Sequence, residues 1–145
     1  MGERPPGINV AIGLYLFATI AFILFWLAWF LAPEAIRLSN EECYIRFEET
    51  FPPADAWCAL ASFVAALGLW RRRPWGLLFG LMAAGAAIFL GLMDFWWDVR
   101  HGVYLSGTAE AYMELAIVLL LLGLGPVVAW LVWKERGWLL IDDRR

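Results

Sequence analysis

Four apolar stretches, residues 8–32, 54–70, 75–97 and 113–133, take up most of this chain. A bilayer core of roughly 30 Å is crossed by about 20 helical residues at about 1.5 Å each. Each stretch is therefore long enough to span it, with 54–70 the shortest. A segment in lipid must satisfy its own backbone hydrogen bonds, and a single helix does so internally. The chain reads as an all-α integral membrane protein, one domain built as a four-transmembrane-helix bundle. Composition agrees, since 63% of the 145 residues are hydrophobic, more than a soluble domain of this size can cover. Many of the ten tryptophans fall near the ends of the apolar runs, where indoles suit the headgroup boundary. Pro33, Pro52, Pro53 and Pro74 punctuate those ends, as expected where helices stop or begin. The first stretch is too long for a signal-peptide core and lacks a small-x-small cleavage pattern, so it reads as a retained anchor.

Orientation follows from Lys and Arg. Arg4, Arg71, Arg72, Arg73, Lys134, Arg136, Arg144 and Arg145 fall on one side of the expected topology, against Arg37, Arg46 and Arg100 on the other. The positive-inside rule then places both termini in the cytoplasm of a multi-pass plasma (inner) membrane protein. Only Glu3, Glu135, Asp142 and Asp143 share the basic side. The other ten acids lie outside or at the outer edge. A net charge of −3 and the absence of a basic motif argue against a nucleic-acid partner.

The stretch GLMDFWWDVRHGVY, which closes the third span, carries Asp94, Asp98, Arg100, His101 and Tyr104. On a helical wheel Gly76, Gly80, Ala84, Ala87, Gly91, Asp94 and Asp98 share one line, with Leu78, Met82, Phe89, Leu92 and Trp96 opposite. Small residues let helix backbones approach in lipid, so this stripe should face protein. Asp55, Ala59, Ser62 and Ala66 form a similar line on span two, and Glu110 and Glu114 lie one turn apart at the start of span four. Asp55 and Glu110 fall in first turns, where the helix dipole favours carboxylates. Asp94 and Asp98 sit at a helix C-terminus, where it does not, so they call for a cation, a shared proton or a partner.

The expected binding core is Asp94, Asp98 and Glu114 at the outer end of the bundle, assisted by Asp55, Arg100, His101 and Tyr104. Intramembrane acids default to functional candidates because burying them is costly. The site would take a cation, a proton or a small polar or amphiphilic ligand. Asp94, Asp98 and His101 on one face, with Glu114, also offer an oxygen-rich metal set with one imidazole. Two other classes remain open. One is a non-catalytic subunit docking on a larger membrane complex through the Gly76, Gly80, Ala84 and Ala87 face. The other is a lipid- or sterol-directed enzyme in which Asp94 or Glu114 moves a proton. No Ser–His–Asp arrangement is apparent, and the sequence points to no cofactor.

Loop one opens with Ser39-x-x-Glu42, a capping-box pattern. A short amphipathic helix on the outer surface is expected over 41–51, with Tyr44, Phe47 and Phe51 on one face. Cys43 and Cys58 both fall on the outer side. They are either free thiols or a bridge contributing on the order of 3 kcal/mol. No Cys-x-x-Cys is present, which argues against disulfide exchange. Pro126, flanked by Gly123 and Gly125, should bend span four.

Overall fold

The computed structural model describes residues 3–140; Arg144 and Arg145, which count toward orientation, and Asp142 and Asp143 lie outside the described residues. Every regular element among the described residues is helical. The long helices are α1 (Pro6–Leu31), α3 (Pro52–Trp70), α4 (Pro74–His101) and α5 (Ala109–Lys134), with short helices α2 (Glu42–Glu48) and α6 (Arg136–Leu140). Four helices, with α2 and α3 counted as the single stretch Glu42–Trp70, are long and apolar enough to cross a membrane.

Proline and glycine set the boundaries. Pro6, Pro52 and Pro74 each open a long helix, where the missing N–H costs nothing and φ is already helical. Gly102, left-handed at φ 67°, closes α4 by donating its N–H to the carbonyls of Asp98 and Val99. Thr108 caps α5 by accepting the Ala111 N–H. Between α3 and α4, Arg72 takes φ 51° in a tight turn. The Arg73 N–H reaches back to the Gly68 carbonyl at 2.8 Å. The Arg72 side chain donates to the Trp138 carbonyl at 2.9 Å and lies over the Trp138 ring, which holds α6 under the bundle.

Helix α4 is central, packing along both α3 and α5, while α1 packs on α3 and meets α5 much less. Its small residues make this possible. A Cβ on Gly76 would stand 2.5 Å from the backbone of Gly68 and Leu69, and one on Gly80 would stand 2.8 Å from the Tyr15 hydroxyl. The stripe expected to meet protein does so within this chain. Ile8, Ala11, Ala65, Leu69, Leu77, Val132 and Leu139 form a closed core at the end carrying Arg4, Arg71 and Lys134, here the arginine end. Gly7 lies beside Leu131 and Glu135, so both described ends of the chain are at this end. The opposite end, under α2, has only a small cluster around Phe51, Cys58 and Leu90.

Two expectations change in detail. Helix α4 runs to His101, a turn beyond 97, and α5 starts at Ala109 rather than 113. The capping box does not form: Glu41 precedes α2 without a side-chain cap, and the Ser39 hydroxyl accepts from the Glu41 N–H two residues on. That contact is a local turn that competes with the cap. Helix α5 stays helical through Pro126, and Gly125 there packs against Ile88 and the Ala84 carbonyl.

Candidate functional site

The site is built where α2 folds over the end of α4. Phe47 stacks on Trp97 at 4.0 Å, and Trp97 stacks in turn on His101 at 3.8 Å. Tyr44 is buried beside Trp29 and accepts the Leu38 N–H at 3.3 Å. With Phe47 and Tyr44 fixed, Glu48 turns inward. It lines a cavity of about 220 Å³ together with Asp55 of α3, Asp94 of α4 and Glu114 of α5. These four carboxylates come from four different helices and lie close enough for their charges to act on one another.

They are not equivalent. Asp55 accepts a 2.9 Å hydrogen bond from the Trp26 indole. Glu48 and Glu114, each only 8% exposed, and Asp94 have no hydrogen bond and no ion pair among the described residues. Buried carboxylates are ordinarily paired or hydrogen-bonded, because desolvation without compensation costs several kcal/mol. Buried Glu48 and Glu114 and partly buried Asp94 thus face one cavity without a partner among the described residues.

Asp98, expected beside Asp94 in the binding core, does not line the cavity, although its charge acts on Glu48, Asp94 and Glu114. It is 2% exposed and takes a 2.7 Å hydrogen bond from the Tyr104 hydroxyl. Burial, and then the Asp98 carboxylate, push the Tyr104 phenol above its usual range, which keeps it a donor. Helix geometry explains the split. Asp94 and Asp98 share a line, but the 3-10 turn Val103–Leu105 after Gly102 brings Tyr104 back onto the later one. Tyr104→Phe is therefore expected to destabilise the protein by about 1–3 kcal/mol by leaving a buried acid unpaired. The double variant Tyr104→Phe/Asp98→Leu should cost less than the two single changes summed. Denaturant unfolding in detergent checks both.

Arg100 is exposed and makes no ion pair among the described residues. His101 is exposed, with Nδ1 2.8 Å from the Trp97 carbonyl. Neither lines the cavity. Among the described residues no three His, Cys, Asp or Glu side chains come together as a metal-ligand group, so the Asp94, Asp98, His101 and Glu114 set is dispersed. Cys43 is exposed and Cys58 buried, both as free thiols. The Cys58 thiol points at the Ala83 carbonyl, 3.7 Å away.

Glu48 and Trp26 were not among the expected site residues. Glu48 stands four residues after Tyr44, on the apolar face that Tyr44 and Phe47 define, and that spacing was a readable sign of burial. Nothing in the sequence singles out Trp26 from the nine other indoles. No protein family, curated protein or solved structure matched the chain.

Proposed function

We propose that this is a multi-pass protein of the plasma (inner) membrane, with both termini cytoplasmic, whose cavity on the opposite side binds a cation. The orientation rests on the Lys and Arg distribution, dense at the arginine end and sparse around α2. The function rests on one observation above all: Glu48 and Glu114 are more than nine-tenths buried, lack partners among the described residues, and face the same cavity as Asp94. No three acids among the described residues come together at metal-ligand distance. The cation is therefore drawn by the summed charge of the three carboxylates across the cavity rather than chelated by them, and it displaces no existing pair. The mostly apolar lining around the acids lowers the local dielectric relative to bulk water and so strengthens the attraction.

The test is thermal unfolding of detergent-purified protein titrated with sodium, magnesium, calcium or tetramethylammonium at constant ionic strength. A bound cation stabilises the native state by about 2.7 kcal/mol at one hundred times its dissociation constant. At least one of the four should give a saturable rise in Tm that Asp94→Asn abolishes. A wild type indifferent to all of them overturns the binding reading, and a reporter fused to the C-terminus and found outside the cell overturns the orientation.

A further inference from the structure

The cavity does not end at the carboxylates. It continues along Phe22, Ala87 and Leu121 to a floor at Tyr15 and Val128. This lower part is apolar, and its few polar atoms are already engaged. The Tyr15 hydroxyl donates to the Gly80 carbonyl at 2.9 Å, and the Cys58 thiol faces the Ala83 carbonyl. A bare cation uses only the upper part. A trough of this kind beneath an acidic end has the shape of a site for a molecule with a charged head and a hydrocarbon tail.

The position of the opening agrees. Phe17 of α1 and Leu120 of α5 both line the cavity, yet they are 50% and 46% exposed. Both stand near the middle of their helices, so the wall is open sideways, between α1 and α5, at mid-helix depth. At the arginine end these two helices close on one another, where Gly7 meets Leu131 and Glu135. In a helix that crosses a membrane, mid-helix depth is hydrocarbon. The side opening thus faces the region where an alkyl tail already resides.

Resting on the cation-binding reading above, we infer that the ligand is an amphiphile with an ammonium head on a single hydrocarbon chain. It enters sideways between α1 and α5, with its head at Glu48, Asp94 and Glu114 and its tail along the trough to Tyr15 and Val128. The carboxylates set the sign of the head. The apolar trough sets the tail.

The experiment is a chain-length series of alkyltrimethylammonium ions, from tetramethylammonium to the dodecyl compound, against protein in maltoside micelles. Dodecyl sulfate and dodecanol serve as head-group controls, and Tm is the readout. Burial of each added methylene should tighten binding up to about four-fold, levelling off once the trough is full. The sulfate and the alcohol should give no saturable stabilisation. Ala21→Phe, at an exposed lining position beside the opening, should flatten the chain-length dependence while leaving tetramethylammonium binding in place. Tetramethylammonium binding without chain-length dependence in the wild type overturns this inference and leaves the cation site standing. So does binding of an inorganic cation with no ammonium ion bound. If no cation of any kind binds, both readings fall. Should Ala21→Phe fail to fold, the wild-type series and its two head-group controls decide the matter alone.

Discussion

Gly76→Ala is expected to cost about 3 kcal/mol or more, enough to deplete the folded bundle, while Gly85→Ala, nine residues along the same helix, is expected to stabilise it. In water, alanine is a better helix former than glycine by up to about 1 kcal/mol, so intrinsic propensity favours both changes. Surroundings separate them. A methyl at Gly76 would stand 2.5 Å from the backbone of Gly68 and Leu69, and backbone cannot rotate aside. A methyl at Gly85 meets nothing within 4 Å. Overpacking of this kind forces the helices apart along the closed core at the arginine end. Unfolding in mixed micelles, with size-exclusion elution to detect loss of the monodisperse species, measures both. Equal stability for the two variants would mean that α3 and α4 do not cross this closely.

The second large effect runs opposite to the usual cost of mutation. Glu48→Gln, Asp94→Asn and Glu114→Gln combined should raise ligand-free stability by about 3 kcal/mol or more and abolish all cation-dependent stabilisation. Buried Glu48 and Glu114 each carry a desolvation penalty of about 1–3 kcal/mol, partly exposed Asp94 carries less, and the three also repel one another. The amides keep the shape and remove the charge. Their contributions will not sum simply, because the three share one cavity. Such a gain is what a site held ready for a ligand predicts, with stability given up where binding needs it. A loss of stability in the triple variant would show that these acids have stabilising partners in the ligand-free protein.

The architecture was largely legible because its determinants are local. Proline placement, the length of the apolar runs and the glycine–alanine stripe of α4 each act through a neighbour a few residues away or through a helix period. The site was legible only in part. Asp55, Asp94 and Glu114 could be brought toward one end from helix direction alone, and all three line the cavity. Asp98 could not be separated from Asp94 by periodicity, because what removes it is the turn after Gly102 that returns Tyr104 to it. Glu48 required knowing that α2 folds inward, which depends on Phe47 meeting Trp97, two residues fifty positions apart in the chain. Trp26 and Asp55 meet across two helices, and neither carries a mark of the other in its own neighbourhood.

Those hydrogen bonds also have a direction in time. A chain is made from its N-terminus, so Trp26 exists before the acid it will bind, and α1, free of charged residues, can wait alone. Asp98 finds Tyr104 only six residues later. The acids with partners are thus settled almost as soon as they are synthesised. Glu48, Asp94 and Glu114 have no such appointment, and their common cavity comes into being only when α5, the last long helix, arrives.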